Sequence, residues 1–141
     1  MLKISTAWIK INNDGASVKN PNRASAGCIF RNHEGICLGC FARFLGEGNA
    51  LFAELSTIMV AIEIADSKNY LNVWLECDSQ VAIQAFISHL IVPWSLRNRR
   101  WNCKSIVQKM NFLVSQIFRE GNVCIDSMAN IGLSLPSLDL S

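Results

Sequence analysis

Apolar positions change their period several times along the chain, and each change marks a predicted element. Ile9 and Ile11 alternate with Lys10 and Asn12, which predicts a strand over Trp8–Asn13. Asp14-Gly15 reads as its end, and the polar stretch Gly15–Arg23, with Asn20-Pro21, reads as a turn or loop. Ser25–Arg31 and Ile36–Leu45 read as two strands joined at His33-Glu34-Gly35, with a loop over Gly46–Asn49. The period then lengthens. Leu51, Leu55, Ile58, Met59 and Ile62 recur at helical spacing and predict a helix over Ala50–Lys68. Asn72–Cys77 is a short apolar run that reads as a buried strand. Ser79–His89 reads as a second helix, apolar on most sides and expected to be well buried. Beyond Pro93, the stripe Cys103, Ile106, Val107, Met110, Leu113 and Val114 predicts a third helix, with a fifth strand over Ser115–Arg119. Asn122 is placed to cap a last short helix reaching about Asn130, with Gly132 at its stop and Pro136 beyond. A meander of three strands followed by β–α alternation implies a mixed sheet with helices on its faces, and the crossover helix makes some strand pairs parallel.

Composition narrows the class. The chain has 141 residues, of which half are hydrophobic and 17% charged, enough for one core and too apolar for disorder. The domain is expected over 8–133, with a short N-terminal extension (1–7) and a loose tail (134–141). A formal charge of +2 does not announce a nucleic-acid binder, so any such role must rest on local features. No apolar run approaches the roughly 20 residues that span a membrane, and Met1–Trp8 lacks the apolar segment of a secretory leader. The six cysteines are therefore read as reduced thiols of an intracellular protein, in nucleus or cytoplasm. Cys37 and Cys40 form a C-x-x-C, but on a strand residues three apart face opposite ways, and no second pair of ligands stands at zinc-like spacing.

With only eleven acidic residues, each can be weighed singly. Asp14 and Asp78 stand at the predicted C-terminal ends of the first and fourth strands. If those strands are neighbours, both carboxylates emerge at one sheet edge, where open α/β sheets bind ligands. Glu54 lies on or near the apolar stripe of its helix, a costly place for a carboxylate without a partner or a cation. Asp126 opens the last helix, with Met128 and Ala129 behind it. Taken one at a time, each has a structural explanation: a turn at Asp14-Gly15, a cap at Asp78-Ser79, and helix-dipole complements at Glu54 and Asp126. Taken together, four acids repel unless a cation joins them, and hard oxygen ligands suit magnesium or manganese. Two such metals about 4 Å apart serve phosphodiester cleavage.

The segments Lys10-Ile11-Asn12-Asn13-Asp14-Gly15-Ala16-Ser17, Ala53-Glu54-Leu55, Glu76-Cys77-Asp78-Ser79-Gln80, and Arg119-Glu120-Gly121-Asn122 followed by Asp126-Ser127-Met128-Ala129-Asn130 occur in that order. In sequence and spacing they resemble the ribonuclease H family. The likeness is strongest to the ribonuclease H-like domains of plant non-LTR retrotransposon reverse transcriptases, a branch that Pro93-Trp94-Ser95-Leu96-Arg97-Asn98-Arg99 also resembles. The resemblance implies a ribonuclease H-like α/β fold, a five-stranded mixed sheet with helices on both faces. It implies hydrolysis of the RNA strand of RNA–DNA hybrids by an endonuclease using two Mg2+ ions, for which Mn2+ can substitute, and no small-molecule cofactor. Asp14, Glu54, Asp78 and Asp126 match the metal-binding acids. Gly15, Ser79 and Gln80 fall where relatives contact the hybrid, whose RNA strand is told from DNA by its 2′-hydroxyls; Ser17, Asn122 and Asn49 are further candidate contacts, Asn49 standing one or two places from the asparagine pair of relatives.

The chain also departs from the family. The loop after Asp14, glycine-rich in many relatives, reads Lys19-Asn20-Pro21-Asn22-Arg23-Ala24-Ser25. Where relatives often carry a histidine in or after the last strand, this chain has Gln116, and His33 and His89 read as turn and helix-end residues. Arg97, Arg99, Arg100 and Lys104, flanked by Trp94 and Trp101, form a basic segment that could follow phosphates while the tryptophans pack beneath or stack on bases; otherwise it is a solvated helix face anchored by two tryptophans. These departures keep a second reading in play: a domesticated, catalytically weak or inactive domain that binds nucleic acid or protein. The default oligomeric state is a monomer, with no membrane partner.

Overall fold

The computed structural model describes residues 8–18, 23–88 and 91–117. Five strands form one mixed sheet: β1 (Ile9–Val18), β2 (Arg23–Arg31), β3 (Cys37–Gly46), β4 (Asn72–Cys77) and β5 (Asn111–Gln116). Their spatial order is β3-β2-β1-β4-β5. The meander β1-β2-β3 is antiparallel, while β4 lies parallel to β1 and β5 parallel to β4. The helices are α1 (Ala50–Ser67), α2 (Gln80–Ile87) and α3 (Arg97–Val107), the last entered through a 3-10 turn at Trp94–Leu96. The parallel pairs follow from the crossovers, since a chain leaving β3 or β4 through a helix returns in the same direction. The last expected helix (122–130), the N-terminal extension, the tail and His89 lie outside the described residues.

α1 carries the core. Asn49 caps it by accepting a hydrogen bond from the Phe52 N–H at 2.9 Å. Asn69 ends it in the left-handed region at φ 58°, and the Tyr70 N–H closes back on the Ala65 carbonyl at 3.0 Å. Between them, Leu55, Ile58, Met59 and Ile62 are fully buried with Ile11, Leu75, Val73 and Cys28 of the sheet. α2 and α3 both pack against α1, and α2 also meets β5. No described helix is long and apolar enough to cross a membrane.

Three sequence expectations are corrected. β1 does not stop at Asn13: its ladder with β2 continues to Val18 opposite Arg23, so Asp14 is a mid-strand residue opposite Gly27. Gly15 is likewise in the strand and not at positive φ, unlike Gly35 and Gly46. Its glycine has another cause, because a Cβ there would lie 2.3 Å from the Ala53 carbonyl carbon of α1. Second, α3 ends at Val107 and β5 starts at Asn111, four residues before the expected strand. The apolar run 112–114 fits either period. What decides is edge pairing: the Asn111 N–H donates to the Leu71 carbonyl at 2.7 Å, and its side-chain amide to Asn72 Oδ1 at 2.6 Å. Third, α2 is buried only along Ala82, Ile83, Ala85 and Phe86, while Val81 and Ile87 are half exposed.

The Cys37-x-x-Cys40 pair lies on β3 as free thiols, Cys37 exposed, and Cys28, Cys77 and Cys103 are buried free thiols. Burial pushes the Cys77 and Cys103 thiols up from 9.0 to about 12. The native chain therefore keeps protons that the unfolded chain releases above the ordinary thiol value, and stability should fall as pH rises from 9.0 towards about 12. Urea midpoints across that window should decline, and replacing both cysteines by alanine should flatten the decline. Gly15→Ala should cost about 1–3 kcal/mol through overpacking of β1 against α1, seen as a lower urea midpoint with an unchanged slope.

Candidate functional site

The parallel pairing of β1 and β4 sets Asn13 opposite Cys77, so the next residues, Asp14 and Asp78, stand abreast at one end of the sheet. Asp78 follows the last residue of β4 and precedes Ser79, which caps α2 by accepting from the Ala82 N–H at 3.1 Å. The cap of α2 is thus Ser79, and not Asp78. Glu54 comes from the first turns of α1, where its Oε1 accepts from the Ser79 hydroxyl at 3.0 Å. Ligand oxygens of Asp14, Glu54 and Asp78 all lie within 4.8 Å of one another. Asp14 is 2% exposed, and its Oδ1 is buried without a hydrogen-bond partner.

Three carboxylates at this spacing oppose one another, and a buried carboxylate oxygen lacking a donor is costly. A divalent cation removes both problems. The donor set, all carboxylate oxygen, suits Mg2+ or Mn2+ rather than a metal that prefers sulfur or imidazole. The orphaned Asp14 oxygen is the observation by which these residues fit such an ion. The fourth expected acid, Asp126, lies outside the described residues, as does Asn122.

The expected substrate contacts are placed unevenly. Gly15 and Ser17 lie on β1, and Gly15 is already required by its approach to α1. Asn49 is exposed, but its side-chain oxygen caps α1. The Ser79 hydroxyl is committed to Glu54 and Ala82, whereas Gln80 is exposed at the start of α2. Gln116 ends β5 opposite Cys77, at the same sheet end as the acids.

The cations of the basic segment are placed in different surroundings. Arg99 makes a two-armed contact with Glu63, at 2.8 Å and 2.6 Å, binding α3 to α1. That hydrogen bonding raises the Arg99 pKa. Arg100 is buried and donates to the carbonyls of Ala85 (3.1 Å), Phe86 (2.8 Å) and Ile87 (3.0 Å), and burial lowers its pKa. It donates to the last carbonyls of α2, the groups that a helix end leaves without intrahelical partners. Both guanidinium groups thus make hydrogen bonds within the fold. Arg97 is exposed over the Trp94 ring at 5.1 Å, and Lys104 lies over Phe86 at 5.4 Å. The tryptophans do not anchor the helix: Trp94 is 81% and Trp101 70% exposed.

One residue of the site escaped sequence reading. Asn13 shares a strand face with Ile9 and Ile11 and is completely buried. The signal was present: a polar residue continues the inward side of an alternating strand, directly before an acid.

A family model described as reverse transcriptase-like matches residues 12–132. A protein of Arabidopsis thaliana named as a ribonuclease H protein is 34% identical over 130 residues, which are 91% of this chain and 21% of that protein. The chain thus spans about a fifth of the length of this curated relative. Among solved structures, ribonuclease H1 of the archaeon Halobacterium salinarum superposes with a TM-score of 0.79 at 22% identity, covering 90% of this chain and 98% of that one. A compost-derived ribonuclease H1 in complex with an RNA/DNA hybrid gives 0.76 at 22% identity, covering 89% and 96%. The N-terminal ribonuclease H domain of a Mycobacterium tuberculosis protein gives 0.79 at 17% identity, covering 92% and 95%.

Arg100→Leu should lower stability by about 1–3 kcal/mol, because the carbonyls at the end of α2, two of them in buried bonds, lose a charged donor. Arg97→Ala should leave the urea midpoint unchanged within error. Equal effects from the two would remove the distinction between a capping and a surface arginine.

Proposed function

The chain belongs to the reverse transcriptase-like family, with the ribonuclease H fold, and from that premise we propose that it is an endonuclease that hydrolyses the RNA strand of RNA–DNA hybrids. The observation that carries this reading is the convergence of Asp14, Glu54 and Asp78 within 4.8 Å at the end of the β1–β4 pair. The hybrid bound by the compost-derived neighbour supports the choice of substrate. Asp126, by its match to the family's motif, is the fourth acid of the proposed set.

When bound by these acids, a pair of Mg2+ or Mn2+ ions supplies Lewis-acid stabilisation for phosphodiester hydrolysis. The chain's own groups hold the geometry. Strand backbones fix Asp14 and Asp78, and the Ser79 hydroxyl holds one Glu54 oxygen while its own oxygen caps α2. Gln80, exposed beside the acids, and the backbone at Gly15 face the minor groove, where 2′-hydroxyls identify the RNA strand. The protein works within a reducing compartment of the cell, in keeping with its free thiols.

One observation favours a second reading, binding of the hybrid with weak or no cleavage. Gln116 stands at the site's end of β5, where ionisable histidine is replaced by an amide that cannot carry a proton between groups.

The test is incubation of the chain with a labelled RNA–DNA hybrid and Mg2+ or Mn2+, beside single- and double-stranded RNA and DNA. Cleavage should be confined to the RNA of the hybrid, and Asp14→Asn or Asp78→Asn should reduce it to background in a folded protein. Hybrid binding without cleavage by the unaltered chain would establish the second reading. Cleavage undiminished in both variants would remove these acids from the mechanism.

A further inference from the structure

We infer that Asn13 is a positioning residue that sets the spacing of the three carboxylates by tying β1, β4 and α1 together beneath them. The inference rests on the metal-site reading of Asp14, Glu54 and Asp78.

Asn13 is 0% exposed, and in the sheet it stands between Cys28 of β2 and Cys77 of β4. Both thiols are buried, so the surroundings are those of an apolar row. An amide there costs stability unless its donors and acceptor are used. With the amide oriented by its neighbours, the nitrogen donates to the Glu76 carbonyl at 2.7 Å and the oxygen accepts from the Ile58 N–H at 3.3 Å. Glu76 is two residues before Asp78 on β4. Ile58 is one helical turn after Glu54 on α1. Asn13 itself adjoins Asp14. Each end of the side chain thus grips the backbone of an element that carries one of the acids, close to that acid.

An apolar side chain of similar size would fill this space and serve the core at least as well. What it would not supply is a directional link between sheet and helix. Apolar packing is not directional, whereas metal ligation depends on fractions of an ångström because Mg2+ requires oxygens at about 2.0–2.1 Å in near-octahedral array. Gly15 acts in the same direction two residues on, by letting the α1 backbone at Ala53 and Glu54 approach β1 directly. Contact at Gly15 sets how close the helix comes, and the Asn13 amide sets where along the strand it stops.

The test uses the full chain and Mg2+ or Mn2+ alone as the probe, without substrate. Asn13→Leu removes both bonds at near-constant volume, and Asn13→Thr keeps one hydroxyl on a β-branched side chain suited to a strand. Val73→Ala, a fully buried change at the far end of β4, serves as a control that loses stability without touching the link. Melting temperature in chelator and metal affinity by calorimetry are measured for all four proteins. Asn13→Leu should bind the metal about tenfold to a hundredfold more weakly, the range seen when groups supporting metal ligands are removed. Asn13→Thr should fall between it and the unaltered chain. Val73→Ala should lose melting temperature but keep its affinity. If Asn13→Leu does not fold, Asn13→Thr against Val73→Ala decides by the same criterion. Unaltered affinity in the Asn13 variants, or an equal loss in Val73→Ala, would overturn the inference while leaving the metal site in place. No metal binding by the unaltered chain would overturn the site reading, and the inference with it.

Discussion

The parallel register of β1 against β4 is the constraint on which the rest of the site depends. Asn13 faces Cys77, and this alone brings the two following residues, Asp14 and Asp78, to the same height at the sheet end. A slip of one residue would reverse the face of every side chain on one strand, burying charge and exposing Ile11 or Leu75. The core therefore opposes such a slip: both residues are fully buried, and a one-residue shift would lose the burial of one of them. The same packing places Glu54, since Leu55, Ile58 and Ile62 fix the rotation of the helix that presents it. Hydrophobic burial, which is not directional, thus sets the coarse position of three acids. The hydrogen bonds of Ser79 and Asn13 refine it.

Much of this arrangement was legible because periodicity is a one-dimensional record of which face is buried. The alternation at Ile9 and Ile11, the helical spacing through Leu55, Ile58 and Ile62, and the bounds of β4 all survive in the structure. The three described acids stand together as their order in the chain implied. What was not legible depended on contacts between elements. Asp14-Gly15 has the composition of a turn, yet the antiparallel ladder to β2 continues through it, and the glycine answers to a helix nearly forty residues away in sequence. Likewise the stripe from Cys103 to Val114 has a helical period, but the β4 edge captures its second half as a strand.

The arginines show the same limit in electrostatic form. A cluster of like charges in sequence suggests a surface for phosphates, but charge alone does not say which way a side chain turns. On α3, successive residues point about 100° apart, so neighbouring cations meet quite different surroundings. Arg97 faces solvent, Arg99 meets the carboxylate of Glu63 on α1, and Arg100 turns inward to the end of α2. The short α2, with Ile87 its last residue, receives donors at its terminal carbonyls through that inward turn. A residue that looks like a ligand contact is the means by which a second helix ends, and that helix begins at the Ser79 cap beside Glu54.

This division of labour bears on how a hybrid would be held. Affinity for nucleic acid and its dependence on salt come mainly from the number of phosphates neutralised. With Arg99 and Arg100 used inside the fold, the described part of the basic segment retains Arg97, stacked on Trp94, and Lys104, lying over Phe86. The exposed faces of Trp94 and Trp101 then offer contact area that salt does not screen. Under the proposed function, recognition built this way would rest less on long-range attraction and more on fit at the carboxylate end of the sheet. There, on the proposed reading, small displacements of α1 would decide whether the acids can share a cation. The precision of that end, held by a glycine contact and a buried amide, matters more to this chain than its modest net charge.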